Sequence, residues 1–371
     1  MTYEEIISKL KQSGNFRSIP ASDKTQHVID LSSNDYLGIA NDHRLRHDFM
    51  RYAIEHDIPL TSSASRLLSA AQDEYSALEH LLSSLYDNRS ALIFNSGYHA
   101  NVGLVSALAG NNDTLIVADK LVHASIIDGI ILSKSPFERF RHNDYEHLRS
   151  ILARKASDYD RVLIITESVF SMDGDMADID TLSEIRRHYD NALLYVDEAH
   201  AFGVCGPDGL GCVWQSNHRN DVDIIVGTFG KAIASAGAFC VLPETLRDIA
   251  VNRARSFIFS TALPPVNVAW TRYVIERLSS MKERRQHLSR LAGILAGIFP
   301  GGAPSHIRPY IVGDARRAVA LSDRLLQEGF KVLPIRTPTV PPGTERLRFS
   351  LCADIDESIL LHLKNVVESV L

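Results

Sequence analysis

The sequence predicts an α/β protein, with a mostly parallel sheet in a large domain followed by a smaller α+β domain. Three observations carry this reading: short runs that are apolar throughout, amphipathic helical stretches between them, and a Pro264-Pro265 pair beyond which the pattern changes. Strands that are apolar on both faces need cover on both sides, and helices packed on a parallel sheet supply it. A single core usually stops growing at roughly 250–300 residues. The chain has 371, so two lobes are expected.

Residues 3–12 read as a short polar helix and 31–38 as an irregular turn, within an amino-terminal segment taken as 1–40. Tyr75, Leu78, Leu81, Leu82 and Leu85 recur at helical spacing over 72–86. Strands are expected at 91–94, 115–118, 161–166, 193–196 and 223–226, with helices around 123–132, 145–155 and 178–189. Together they make a large domain over 41–262. Beyond the prolines, one long helical stretch is expected from 266 to about 297. A strand at 306–312, a helix at 314–328, short strands near 330–335 and 346–352 and a closing helix from 355 complete a small domain, 263–371.

Composition sets limits on partners. With 45% hydrophobic and 23% charged residues, the chain is neither disordered nor fibrous. Its 39 Lys and Arg against 45 Asp and Glu give a net charge of -6, which offers no general attraction for a nucleic-acid backbone. Cys205, Cys212, Cys240 and Cys352 form no CxxC pair, which suits the reducing cytoplasm. Met1-Thr2-Tyr3-Glu4-Glu5 lacks the basic-then-apolar start of a secretory signal, and no apolar run reaches 18 residues. No membrane partner is expected.

In an open α/β sheet, ligands sit beyond the carboxyl ends of the strands. Here those ends are polar: Phe94 leads into Asn95-Ser96-Gly97-Tyr98, Thr166 into Glu167-Ser168, Val196 into Asp197-Glu198-Ala199-His200, and Val226 into Gly227-Thr228-Phe229-Gly230-Lys231. A small-residue turn, hydroxyls, acids, an imidazole and an amine thus converge on one predicted edge. A nucleotide phosphate loop is a poor match, because Lys231 is followed by alanine and comes after the acidic strand. A metal site is also disfavoured, since neither HExxH spacing nor a compact Cys/His set is present. Chemistry that uses a reactive amine, an acid facing a ring nitrogen and a phosphate seat gives each residue a task, as in pyridoxal 5'-phosphate held on a lysine.

Five ordered segments sharpen this: Phe94-Asn95-Ser96-Gly97-Tyr98-His99-Ala100-Asn101, His123-Ala124-Ser125, Thr166 through Asp175, Asp197 through Gly203, and Gly227 through Lys231. In this order the chain resembles the α-oxoamine synthases, pyridoxal phosphate enzymes of fold type I, with an aspartate aminotransferase-like architecture. The resemblance runs from about Arg17 through Arg348. It implies a homodimer, with the active site at the interface, that joins an amino acid to an acyl thioester carried by CoA or an acyl carrier protein, with loss of carbon dioxide.

The resemblance also implies roles. Lys231 would be the Schiff-base lysine and Asp197 the partner of the pyridinium nitrogen, with His123 stacking on the ring and His200 bonding the ring oxygen, assisted by Ser168. The phosphate would sit at Ser96, Gly97 and Tyr98, where a helix amino terminus offers free N–H groups, and at Thr228. Thr261 would reach the phosphate from the partner subunit. Arg348 would bind the amino-acid carboxylate through a charge-assisted fork, with Arg346 two positions away on the same strand face. Asn34 and Arg17 would line the substrate or acyl side. No metal is expected.

The chain departs from the pattern where the family tends to carry glycine. Thr61 through Ser65 replaces a glycine-rich turn, while Ala70, Ala234 and Ala238 stand at common glycine positions. Asp354 stands where a histidine is often seen. Three classes compete for the chain: the acyl-transferring enzyme, another pyridoxal phosphate enzyme such as an aminotransferase or lyase, and a non-catalytic partner subunit. Loss of the lysine would favour the last, and Lys231 is present.

Overall fold

The computed structural model describes residues 2–17, 19, 28–70, 72–110 and 112–370. Within the expected amino-terminal segment, residues 1, 18 and 20–27 lie outside the described residues. The strands, in chain order, are β1 (Ile29–Asp30), β2 (Ser90–Phe94), β3 (Thr114–Asp119), β4 (Phe137–Phe140), β5 (Arg161–Glu167), β6 (Ala192–Asp197), β7 (Ile224–Thr228), β8 (Ala238–Leu242), β9 (Ile307–Ile311), β10 (Phe330–Lys331), β11 (Leu333–Ile335) and β12 (Arg346–Ser350).

Contacts divide the chain into two compact units, the larger made of Leu37–Phe170 and Met176–Arg285. Its seven-stranded sheet has the order β2-β8-β7-β6-β5-β3-β4, and only β8 pairs antiparallel to its neighbours. The expected mostly parallel sheet is present, and the carboxyl ends of β2, β3, β5, β6 and β7 share one edge. Central strands β3, β5 and β7 are buried almost throughout, which is why they read as unbroken apolar runs. Leu104, Val105, Ile126 and Ile130 from the covering helices pack with Ile116, Leu163, Ile165 and Val226 of the sheet. Burying aliphatic side chains of this kind stabilises a fold by about 1.5–3 kcal/mol each.

The covering helices begin where the sequence supplies caps. Ser96 caps Gly97–Ala109 by accepting from His99 N at 3.2 Å, and Asp178 caps Ile179–Arg187 by accepting from Thr181 N at 3.0 Å. The long stretch expected from 266 is broken. Pro265–Ile275 ends before a 3-10 turn at Ser279–Met281, and a second helix, Lys282–Ile298, follows. The turn tightens through Ser280 N to Arg277 O and Met281 N to Leu278 O, which buries Leu278 and Met281.

The smaller unit gathers Met1–Tyr36, Ser171–Asp175 and Gln286–Leu371. Its three-stranded antiparallel sheet runs β11-β12-β9, and Phe299 packs on Phe349 with ring centroids 4.4 Å apart. The two-residue strand β1 pairs in parallel with β10. No helix among the described residues is long and apolar enough to cross a membrane.

Two of the departures from glycine have a visible backbone cost. Ser63 and Ala234 adopt φ of 50° and 48°, the left-handed region that glycine enters more freely. Ala238 instead lies within β8, where a side chain is at home.

Candidate active site

A cavity of about 170 Å³ opens at the shared edge of the large sheet. Each strand end contributes by position. After β2, the helix Gly97–Ala109 presents Gly97, Tyr98 and, one turn on, Asn101. His123 and Ser125 follow β3, Glu167 ends β5, Asp197 ends β6 ahead of Ala199 and His200, and Thr228 and Lys231 close β7.

Lys231 Nζ lies 2.8 Å from His200 Nε2, so the amine and imidazole share a hydrogen bond. Asp197 is buried and held from two sides: Asn101 Nδ2 donates to Oδ2 at 2.7 Å and Ala199 N to Oδ1 at 2.9 Å. The Tyr195 hydroxyl in turn donates to Asn101 Oδ1 at 2.6 Å, fixing which way the amide faces. Each oxygen of the carboxylate thus has its own donor, which fixes the direction in which the acid presents itself to the cavity.

His123 caps the helix Ala124–Ser133, its Nδ1 accepting from Ser125 N at 3.2 Å and sharing a 2.8 Å bond with Ser125 Oγ. Loss of hydration pushes its pKa down, more than the nearby Asp197 charge pulls it up, so the neutral imidazole is favoured. Burial, reinforced by the charge of Asp197, pushes the Glu167 carboxyl well above the ordinary carboxylate range.

At the other end of the cavity, Gly97 and Tyr98 hold the first two positions of their helix, where N–H groups have no intrahelical acceptor. A Cβ at Gly97 would stand 3.7 Å from Thr228 Oγ1, inside this corner. Thr228 Oγ1 donates to Gly237 O at 3.1 Å and accepts from Gly230 N at 3.3 Å. The Tyr98 ring is half-exposed, with its hydroxyl donating to Asp128 Oδ2 at 2.6 Å.

The structure therefore brings Gly97, Tyr98, His123, Asp197, His200, Thr228 and Lys231 to one cavity. Ser96 acts as the helix cap beside it. Ser168 does not line it: the residue is fully buried, and its hydroxyl lies beside Glu198 and Cys212, outside hydrogen-bond geometry. Thr261 is exposed in an isolated antiparallel bridge with Ser65, its carbonyl accepting from Asn95 Nδ2 at 2.5 Å.

Arg17, Asn34 and Arg348 belong to the smaller unit, which joins the last two: Arg348 Nη2 donates to Asn34 Oδ1 at 3.2 Å, and its Nε to Ser171 O at 2.6 Å. Arg348 is buried and pairs with no carboxylate among the described residues, whereas Arg346 pairs with Asp173 at 2.5 Å. Arg17 is exposed and donates to Thr339 Oγ1 at 3.0 Å.

Sequence reasoning assigned no role to Asn101, Tyr195 or Glu167. The signals were available: Asn101 is four residues beyond Gly97 on one helix, Tyr195 is two before Asp197 on one strand face, and Glu167 ends a strand. An amine, a fixed carboxylate and a corner of free N–H groups suit an aldehyde, a ring nitrogen and a phosphate, so the donor set fits pyridoxal phosphate. No group of three His, Cys, Asp or Glu side chains among the described residues is placed to hold a metal ion.

Known proteins with similar sequence and structure point to the same cofactor. A model of the class I and II aminotransferases matches residues 26–367. A Pasteurella multocida protein named "Putative 8-amino-7-oxononanoate synthase" is 47% identical over 369 residues, covering 95% of each chain. Among solved structures, a serine palmitoyltransferase from S. paucimobilis with bound PLP-myriocin aldimine superposes with a TM-score of 0.88 at 27% identity, covering 99% of this chain and 96% of that one. An 8-amino-7-oxononanoate synthase from Francisella tularensis has a TM-score of 0.76 at 28% identity, over 94% and 98% of the two chains. This chain belongs to the class I and II aminotransferase family and, within it, to the pyridoxal phosphate-dependent α-oxoamine synthases.

Proposed function

We propose that the enzyme condenses L-alanine with a pimeloyl thioester, carried by CoA or an acyl carrier protein, to give 8-amino-7-oxononanoate, carbon dioxide and the free thiol. The observation that carries this reading is the 47% identity to the Pasteurella protein over 95% of both chains. The serine palmitoyltransferase has the higher TM-score but only 27% identity, and a shared backbone says less about substrate than shared side chains do. Glycine-using relatives and serine palmitoyltransferase chemistry remain the competing outcomes of the assay below.

In this reading Lys231 anchors the cofactor aldehyde through its amine. The bound cofactor supplies an electron-accepting ring next to the substrate α-carbon. Asp197, held by Asn101 and Ala199 N, keeps the ring nitrogen protonated. The Lys231 amine would take the α-proton of the amino acid, whose α-carbon would then bond to the thioester carbonyl carbon as the thiol leaves, and once carbon dioxide has departed a proton would return to that α-carbon. His200, 2.8 Å from the lysine amine, orients it, and the His123 imidazole, which lines the same cavity, would stack on the cofactor ring. The N–H groups of Gly97 and Tyr98, with Thr228, hold the phosphate, and Ser96 fixes that turn. Arg348, steadied by Asn34, receives the substrate carboxylate, and Arg17 serves the acyl side. The enzyme acts as a cytoplasmic homodimer, Thr261 reaching the partner's phosphate.

The test is an assay of L-alanine, glycine and L-serine against pimeloyl, acetyl, succinyl and palmitoyl thioesters, read as thiol release and product mass. Release with L-alanine and pimeloyl thioester is expected. Release with none of the combinations would sink the synthase reading, and a different preferred pair would move the chain to that chemistry. Lys231→Ala should abolish the visible absorbance of the bound cofactor.

A further inference from the structure

Glu167 ends β5 and pairs in register with Asp197 at the end of β6, so two carboxyl groups stand side by side at one cavity. Register partners on neighbouring strands point to the same face. Their surroundings differ sharply. Asp197 accepts from Asn101 Nδ2 and Ala199 N, whereas Glu167 is buried and its Oε1 finds no hydrogen-bond partner. Two ionised carboxylates out of water repel each other, and the proton goes to the one with fewer donors.

We propose that Glu167 is held as a neutral carboxylic acid and is a positioning residue for the cofactor ring, confining the negative charge at this end of the cavity to Asp197. A single counter-charge then faces the ring nitrogen. The groups facing Glu167 come from four places: Asp197 from β6, Asp119 from the end of β3, the Lys231 amine beyond β7 and the backbone N–H of His123 at its helix cap. The last two favour an ionised Glu167, while burial and the two aspartates oppose it and prevail. The inference rests on the pyridoxal phosphate reading of the same cavity for its effect on the cofactor, but its first test does not need that reading.

The first test is infrared spectroscopy of the wild-type holoenzyme at a pH of about 8.5, where Glu198, with its carboxyl pushed up to about 7, is mostly ionised. A carboxylic-acid carbonyl band that moves on carbon-13 labelling of glutamate is expected, and Glu167→Gln should remove it. Absence of such a band in the wild type, or its persistence in the variant, overturns the proposal. The second test is the pH midpoint of the cofactor's visible band. Replacing a neutral acid by a neutral amide should leave it within about 0.3 pH of wild type, whereas a midpoint displaced by about one pH would reveal an ionised Glu167 and overturn the proposal. A wild-type protein that develops no visible band with added cofactor would instead fail the cofactor reading, and the infrared band would still decide the protonation of Glu167.

Discussion

The Asn101 side-chain amide donates to Asp197 Oδ2 at 2.7 Å while its own carbonyl accepts from the Tyr195 hydroxyl at 2.6 Å. The buried acid is thus held through a chain that begins on its own strand and passes through a helix. Asn101→Ala removes bonds to three buried partners, Asp197, Tyr195 and Ser125, one of them a carboxylate, and should lower unfolding stability by about 1–3 kcal/mol. Tyr195→Phe removes one neutral bond and should cost about 0.5–1.5 kcal/mol. Urea unfolding of both variants checks the order, and a larger loss for Tyr195→Phe would show that Asp197 is not the centre of the network.

Arg346 and Arg348 share a face of β12 but differ in what their guanidinium groups meet. Arg346 is paired with Asp173, whereas among the described residues Arg348 donates to the neutral oxygens of Ser171 and Asn34. A charge-assisted bond to a substrate carboxylate contributes about 1.5–3 kcal/mol, so Arg348→Ala should raise the amino-acid KM roughly 10- to 100-fold. The cofactor absorbance should be unchanged. Arg346→Ala should act mainly on stability by stranding Asp173, and an amino-acid KM defect confined to that variant would reverse the assignment.

Gly97 stands in the corner proposed for the phosphate, and a methyl group there would meet Thr228 only at an ordinary contact distance of 3.7 Å. The fold should therefore tolerate Gly97→Ala, while the cofactor should not. A loss of cofactor affinity of about tenfold or more is expected with an unfolding midpoint close to wild type. Equal affinity in a titration followed by visible absorbance would place the phosphate elsewhere.

Ala234 adopts φ of 48°, and its carbonyl accepts from Trp270 Nε1 at 3.0 Å, which fixes the turn in that conformation. Ala234→Gly relieves the left-handed strain but adds freedom to the unfolded chain, so a net gain of about 0.5–1 kcal/mol is expected. Thermal unfolding measures it, and a lower midpoint would mean that the methyl group packs more usefully than the turn suggests.

The central strands were legible because both of their faces are buried, which leaves no polar alternation to confuse the reading. Edge strand β4 was not: Phe137 is exposed while Phe140 is buried, and four residues carry too short a pattern. The helix His43–Glu55 also escaped notice, since Phe49 is its one fully buried residue and charged groups dominate its sequence. At the site, residues supplied by strand ends were readable because strand ends converge by topology. Ser168 lies one residue beyond β5, fully buried beside Glu198, and its hydroxyl has no hydrogen-bond partner among the described residues. Asn101 carried no chemistry of its own, and its role emerges only from the helix that sets it against Asp197.

Glu198 follows the proposed ring-nitrogen acid in sequence yet faces away from the cavity, where Val213 N donates to its Oε1 at 3.0 Å and Oε2 has no partner among the described residues. Burial pushes its carboxyl up to about 7 from 4.5. The folded state therefore binds a proton that the unfolded state releases between these values, so stability from this residue is fully present below pH 4.5 and is lost as pH rises through 7. Across that interval the loss comes to about 3 kcal/mol, because a tenfold change in proton activity corresponds to about 1.4 kcal/mol. Glu198→Gln keeps an acceptor for Val213 N without an ionisable proton, so its unfolding free energy should fall less steeply across this pH range than that of the wild type. Parallel slopes for the two proteins in urea unfolding would mean that the carboxyl ionises as readily in the fold as in the unfolded chain.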